Sequence, residues 1–120
     1  FPVLLTYPDR EADLVYNMTK AIDEQYDNYV EIEPGMIGWA DERQDFLWVV
    51  PYHEGAIRFW EEKGLWSEEA QAHNDALIER QEILMAAWEE LADVAEAEKT
   101  ERWLERRREV LKEAGLPVYE

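Results

Sequence analysis

Apolar residues recur at helical spacing in the first part of the chain, up to about residue 30. They fall at intervals of three and four positions, which predicts one amphipathic helix with a polar outer face. Asp9 precedes this pattern and suits the N-cap position, because its carboxylate can accept a free backbone N–H of the first turn. The predicted buried stripe consists of Leu14, Val15, Met18, Ala21, Ile22, Tyr26 and Tyr29.

Two short runs of consecutive apolar residues have a different pattern. They cover residues 1–7 and 46–50, and prolines follow them at Pro8 and Pro51. A short apolar run that a turn residue ends is typical of a buried β-strand, and proline cannot continue the hydrogen-bond ladder. The sequence therefore predicts one or two short strands.

Residues 51–66 hold the most particular combination of residues in the chain: a proline, a lone histidine, several aromatic side chains and two glycines. Gly64 stands where a helix commonly ends in a left-handed residue, which predicts a compact helix over about residues 54–63. Gly55 lies next to Ala56 near the start of that helix, and small residues there favour close backbone packing.

Helical spacing continues through the last part of the chain. Ser67 is a suitable N-cap for a long helix, and a charged stretch at residues 95–100 is expected to break or bend it. Gly115 and Pro117 should end the final helix. The chain is thus predicted to be mostly α-helical with one or two short strands, divided into residues 1–66 and a helical tail, residues 67–120.

Charge limits the classes of partner. The chain carries 29 acidic and 12 basic residues, giving a formal net charge of −17. Nucleic-acid binding depends on basic side chains that neutralise phosphates, so we expect no nucleic-acid partner. No run of about 18 apolar residues occurs, so no membrane-spanning segment is expected.

The sequence offers little catalytic or metal-binding chemistry. Two histidines and no cysteine leave few ligands for a transition metal, and we expect neither a metal site nor a cofactor. Glycine-rich nucleotide-binding motifs and a serine-hydrolase motif are missing from the sequence. We therefore expect that the protein is not an enzyme.

Three residues are candidates for contact with a ligand. His53 precedes the predicted short helix and could either cap that helix or line a ligand site. Arg58 could form a structural ion pair, or its planar guanidinium could bind a carboxylate with two hydrogen bonds. Tyr16 lies on a different helix face from Leu14 and Met18, and its phenol could reach a cleft.

Residues 13–22 and 51–64 together resemble the C-terminal part of TAXI-type solute-binding proteins of TRAP transporters. The first motif reads DLVYNMTKAI, and the second reads PYHEGAIRFWEEKG. Their order and spacing also agree with that family. The departures are Glu54, where the family commonly has proline, and Trp60, where tyrosine is frequent. The match is good over residues 1–66 and weak beyond them.

The resemblance implies a periplasmic or otherwise extracytoplasmic receptor with two α/β lobes, as in periplasmic binding proteins. Such a receptor closes on a small organic anion, a carboxylate or an amino acid, and delivers it to membrane permease subunits driven by an ion gradient. Residues 1–66 would then form the end of the solute-binding fold, and Tyr16, His53 and Arg58 would be the candidate ligand contacts.

A second hypothesis is a free-standing acidic helical module that binds other proteins through its apolar stripes. Without covering lobes, apolar helix faces would be exposed to water. We therefore also expect this chain to associate with copies of itself.

Overall fold

The computed structural model describes residues 3–119, and most of these residues are helical. Within this range, five α-helices and two 3₁₀ helices follow one another, so the predicted mostly α-helical character is confirmed. The α-helices are α1 (Ala12–Glu24), α2 (Tyr26–Tyr29), α3 (Glu54–Glu62), α4 (Glu68–Glu89) and α5 (Glu96–Glu113). The 3₁₀ helices are Pro34–Trp39 and Asp41–Arg43.

The two predicted strands do not form within residues 3–119. Residues 3–7 have no regular secondary structure, and residues 46–50 make turns and bends. A strand is stable only when a second strand pairs with its backbone, and the described residues contain none. The prediction from apolar runs was therefore wrong for residues 46–50 and for the described part of residues 1–7. Phe1 and Pro2 lie outside the described residues.

The ends of α3 and α5 follow the sequence prediction. Gly64 and Gly115 have φ angles of 75° and 68°, the left-handed region that favours glycine. Leu65 donates its N–H to the carbonyl of Trp60, and Leu116 donates to Leu111, which completes a Schellman motif at each helix end.

The starts of the helices agree less well with the sequence prediction. Ser67 caps α4 as predicted, since its Oγ accepts the N–H of Ala70 at 3.0 Å. Asp9 does not cap α1, because the N-cap residue is Glu11 and the first helical turn bonds to the Glu11 carbonyl. The break between α4 and α5 also comes earlier than predicted, in turns at residues 90–93 and a bend at residue 94.

The chain divides into two compact units, Phe1–Asn74 and Asp75–Glu120. The first turns of α4 belong to the first unit because they hold the loop that precedes α3. Asn74, only 3% exposed, accepts the N–H of Tyr52 at 2.7 Å. His73 Nε2 lies 2.7 Å from the carbonyl oxygen of Trp48. These contacts explain why the unit extends beyond residue 66.

In the first unit, α1 packs closely against α3. Gly55 makes the close approach possible, since a Cβ there would lie 2.2 Å from the Ala12 carbonyl oxygen and 2.9 Å from the Tyr16 nitrogen. No other residue type fits this position without separating the helices. The side of α1 that carries Ala12, Val15 and Tyr16 therefore faces α3.

That orientation corrects the predicted stripe of α1. Leu14 and Met18 are 55% and 49% exposed, and Ala21 is also exposed. Val15, Ile22, Tyr26 and Tyr29 are partly buried. The apolar residues of α1 cover more of its circumference than α3 occupies, so part of the predicted stripe faces water.

The first unit also contains an aromatic cluster. Its members are Phe46, Tyr52, Trp60 and Trp66, with ring centroids 5.4 to 5.7 Å apart in the pairs that touch. Most of these pairs meet edge to face, an arrangement that adds about 0.5–1.5 kcal/mol per pair beyond the burial of area. The cluster thus connects Phe46, in the loop before α3, with Tyr52 and Trp66, which lie just before and just after α3.

The second unit has an aliphatic core between the later turns of α4 and α5. Ala87, Val110 and Leu111 are buried there, and Leu111 is fully inaccessible. Half-buried apolar side chains surround this core: Ile83, Leu84, Trp103, Leu116 and Val118. Arg106 forms two hydrogen bonds with the carboxylate of Glu90 at 2.7 and 3.2 Å on the outside.

Candidate functional site

Tyr16 and Arg58 lie together on the surface of the α1 and α3 pair. The Arg58 guanidinium stands over the Tyr16 ring, 4.2 Å from its centroid, close enough for a cation–π interaction. The Tyr16 hydroxyl donates to Glu62 Oε2 at 2.7 Å. These two contacts hold the phenol and the guanidinium in fixed relative positions.

Arg58 also has a carboxylate partner. One terminal nitrogen of its guanidinium lies 2.9 Å from Asp13 Oδ1, and the Asp13 side chain is 82% exposed. A single contact with an exposed aspartate is screened by water and contributes little to stability. The other N–H groups of the guanidinium make no contact with a carboxylate among residues 3–119, so Arg58 retains donors for a further acceptor.

His53 caps α3 at the other end of this helix pair. Its Nδ1 accepts the Gly55 N–H at 3.1 Å, and its Nε2 lies 3.0 Å from the Arg10 carbonyl oxygen. Since Nδ1 acts as the acceptor, the proton belongs on Nε2, which donates to Arg10. The imidazole thus ties the start of α3 to the turn before α1.

The Glu62 carboxylate has the largest effect on the pKa of Tyr16. The hydrogen bond to Glu62 raises the pKa of the Tyr16 hydroxyl, with a smaller contribution from burial. Lys20 and Arg58 act in the opposite direction because positive charge favours the phenolate. The neutral phenol is therefore the stable form, and it can donate a hydrogen bond but does not act as a base.

A charged cluster that the sequence reasoning missed lies at the far ends of α1 and α3. The ammonium of Lys63 bonds to Asp23 Oδ1 and to Asp41 Oδ2, each at 2.5 Å. It thereby joins α1, α3 and the second 3₁₀ helix. A cleft of about 220 Å³ opens beside it, with both aromatic and acidic walls. Its lining includes Asp23, Glu24, Tyr26, Asp27, Trp39 and Glu42.

Burial and crowding shift the pKa values of this cluster. Burial is the largest influence on Asp23, and with the nearby Asp41 it raises the pKa of that carboxyl despite the opposing effect of Lys63. Burial opposes the charge of Lys63 too, but hydrogen bonds to both carboxylates outweigh it and raise its pKa. Asp41 Oδ1 is buried with no hydrogen-bond partner among the described residues.

One feature of the sequence could have indicated Lys63. It is the only lysine between Lys20 and Lys99, within a strongly acidic part of the chain. A lone cation among many acids is expected to bind more than one of them. The identity of those acids depends on the fold, because Asp23 and Asp41 are 40 and 22 positions away.

No group of three or more histidine, aspartate or glutamate residues is arranged to hold a metal ion within residues 3–119. None of the helices described is both long and apolar enough to cross a membrane.

The first part of the chain matches a known protein family. The sequence model of the NMT1-like family matches residues 1–64, which is more than half of the 120 residues. The matched region contains α1, α3 and all three candidate ligand contacts. No curated protein and no solved structure matches the chain significantly.

Proposed function

This chain belongs to the NMT1-like family, a family of solute-binding proteins, and we propose on that premise that it is the C-terminal segment of an extracytoplasmic solute receptor. The receptor binds a small organic anion, a carboxylate or an amino acid. It delivers this solute to TRAP-type permease subunits in the membrane, and it performs no catalysis itself.

The family match over residues 1–64 is the observation that carries this proposal. The two motifs that resemble TAXI-type receptors form α1 and α3, the two helices that pack together through Gly55. The motifs are therefore parts of one packed structure in this chain. The TRAP permease and the extracytoplasmic location follow from the resemblance to that type of receptor.

Within this proposal, Arg58 is the primary contact for the anion. Its guanidinium is already oriented by the Tyr16 ring, which reduces the entropy lost when a ligand carboxylate binds. The carboxylate would replace the exposed Asp13, a low-cost exchange because that ion pair is screened. Tyr16 and His53 are the secondary candidates for ligand contact, and both already hold defined hydrogen bonds.

The test is thermal unfolding of the natural protein that contains this chain, with and without candidate anions. The panel comprises dicarboxylates, 2-oxo acids and amino acids. A ligand at 100 times its dissociation constant stabilises the folded state by about 2.7 kcal/mol, so a true ligand should raise Tm by several degrees. Absence of a shift with every member of the panel would contradict the proposal.

Two arginine variants test the assigned contact. Arg58→Ala should weaken binding of the identified anion by about 10-fold to 100-fold, because a charged hydrogen bond is lost. Arg43→Ala is the matched control, since it removes the same charge from the first unit at an exposed position that has no ion pair with residues 3–119. Equal effects of the two variants would show that Arg58 makes no direct contact.

The helical interaction module is the second candidate, and the exposed apolar face of α1 favours it. Leu14 and Met18 are about half exposed and lie four positions apart, so they share one face of α1. Self-association through this face should appear as a dimer or larger species in light scattering. A Leu14→Glu and Met18→Glu double variant should then be monomeric, and a monomeric parent chain at high concentration would contradict self-association through this face.

A further inference from the structure

Residues 47–50 form an exposed apolar loop between the second 3₁₀ helix and α3. Leu47, Trp48, Val49 and Val50 are 45%, 39%, 73% and 37% exposed. Their backbone forms a turn and bends. Four consecutive exposed apolar residues are unfavourable in a surface loop unless another molecule covers them. This apolar loop is therefore a candidate docking element.

The two ends of the apolar loop are fixed close together. Phe46 and Tyr52 flank it, and their ring centroids lie 5.7 Å apart within the aromatic cluster. The Tyr52 hydroxyl donates to the Asp45 carbonyl at 3.2 Å, and the Leu47 N–H donates to Asp45 Oδ1 at 3.0 Å. Such closed ends are typical of compact surface loops. The apolar loop therefore keeps its shape without a covering partner.

Two residues of α4 bind the backbone of this region. His73 Nε2 lies 2.7 Å from the Trp48 carbonyl oxygen, and Asn74 accepts the Tyr52 N–H at 2.7 Å. The Trp48 indole, in contrast, has no ring contact and no hydrogen bond within residues 3–119. The backbone is thus held in place while the side chains stay available. A loop that is already ordered loses little conformational entropy when a partner binds it.

The charges beside the apolar loop determine which kind of surface can cover it. Asp41, Glu42 and Asp45 precede the loop and Glu54 follows it, while Arg43 is the only lysine or arginine in residues 41–54. The whole chain has a formal net charge of −17. A second copy or an anionic lipid surface would place like charges against this acidic border. A protein pocket bordered by basic side chains would complement it.

We propose that the apolar loop docks into an apolar pocket of a separate protein, and that lysine or arginine side chains border this pocket. Trp48 is the central anchor, because a large aromatic side chain at the centre of an interface carries much of the binding energy. The exposed Val49 enters the same pocket. The proposal rests on the proposed function in one respect, since the membrane permease subunits are the proteins expected to carry the pocket.

Thiol labelling at Val49 tests this docking. The 120 residues contain no cysteine, so Val49→Cys adds one thiol to the loop. Ile32→Cys is the matched control, because Ile32 lies in a turn of the same unit and is 76% exposed. Both variants are made in the full-length natural protein and labelled with a maleimide, alone and with lipid vesicles that contain the purified permease. Mass spectrometry of the peptides that carry residues 32 and 49 measures the labelling.

The proposal predicts fast labelling of both variants in the protein alone. Saturating permease should slow the labelling of Val49→Cys by about 10-fold or more, because the rate follows the fraction of unbound protein. It should leave Ile32→Cys unchanged. Four results would overturn the proposal: slow labelling of Val49→Cys in the protein alone, equal slowing by vesicles without permease, slowing that follows the concentration of the protein itself, or no effect of the permease.

Two further substitutions test the anchor and the charge of the pocket. Trp48→Ala should weaken permease binding by about 10-fold or more. Val49→Lys should weaken it more than the control Ile32→Lys, because it places a positive charge against a basic border. Binding of the parent protein should also weaken at higher salt, as expected for charges at the rim of an interface. Equal affinities of the two lysine variants would contradict the proposed pocket.

The labelling experiment is independent of ligand binding. Stabilisation by an anion of the panel together with labelling that the permease does not slow would retain the receptor and reject the docking loop. Slowed labelling in a protein that no anion stabilises would retain the docking loop and reject the assigned solute class.

Discussion

The ion pairs that join separate elements differ between the two units of the chain. In Phe1–Asn74, Arg58 pairs with Asp13 and Lys63 pairs with Asp23, across 45 and 40 positions. In Asp75–Glu120, Arg106 pairs with Glu90 across only 16 positions. The ion pairs of the first unit therefore span longer stretches of sequence, while in the second unit the longest hydrogen bond described, from Arg80 to the Pro117 carbonyl, spans 37 positions.

The composition of the two units differs in the same sense. Phe1–Asn74 has 16 acidic and 5 basic residues, while Asp75–Glu120 has 13 and 7. Because the first unit has so few cations, the placement of each one matters more. A single ammonium group, that of Lys63, binds two carboxylates there. The family match also lies entirely within the first unit. The candidate site and the ion pairs of longest span thus lie in the same unit.

The largest expected effect concerns the aliphatic core of the second unit. Leu111→Ala should reduce the free energy of unfolding of that unit by about 2–5 kcal/mol, because it leaves a cavity around a fully buried side chain. Leu104→Ala is the matched control on the same helix, where the leucine is 40% exposed. Denaturation followed by circular dichroism measures both variants, and similar losses would show that Leu111 is not the core residue.

Gly55→Ala tests the first unit at its closest helix contact. The added Cβ would meet the Ala12 carbonyl at 2.2 Å and push α1 away from α3, at a cost of about 1–3 kcal/mol or more. Gly35→Ala is the control, since nothing lies within 4 Å of a Cβ there. Chemical denaturation monitored by tryptophan fluorescence compares the two. If both variants unfold at the same denaturant concentration, the helices do not pack as closely as described.

The smallest effect is a change in pH dependence at Asp23. A carboxyl whose folded-state pKa is raised makes the fold more stable as pH falls through that value, and this gain is complete below the unfolded value of 3.8. Asp23→Asn should remove this gain, with a change of within about 1 kcal/mol at neutral pH. Denaturation curves recorded between neutral pH and pH 3 measure it.

Asp27→Asn provides the control for that measurement, because it changes the net charge equally and lines the same cleft from an exposed position. Between neutral pH and pH 3, the free energy of unfolding should rise less, or fall more, in Asp23→Asn than in Asp27→Asn. An identical pH dependence of the two variants would mean that the pKa of Asp23 is not raised in the folded state.

Several features of the fold were predictable because local chemistry determines them. Gly64 and Gly115 end their helices since glycine adopts the left-handed conformation without strain, and Ser67 caps α4 through its own side chain. A helix with these signals stops or starts there in almost any tertiary context. The mostly helical character follows from the same periodicity and capping signals.

Other features depended on which elements meet. Periodicity showed that α1 has an apolar side. The contact with α3 decided which of these apolar residues are buried, and it left Leu14 and Met18 exposed to water. Residues 46–50 have the composition of a strand, yet a strand needs a partner that composition does not reveal. His53 caps α3 by accepting the N–H of Gly55, two positions away. Its hydrogen bond to the Arg10 carbonyl, in contrast, spans 43 positions of the sequence.

The features of the candidate site can be divided in the same way, into those that the sequence determines and those that depend on packing. The sequence by itself determined the glycine-marked ends of α3 and α5, the family motifs and the candidate residues Tyr16, His53 and Arg58, because each rests on residue type and short spacing. Only the tertiary structure decided that Arg58 stacks on Tyr16 and that Lys63 joins Asp23 to Asp41. Interaction between charges or rings requires a few ångströms of separation, and the packing of α1 on α3 sets that distance.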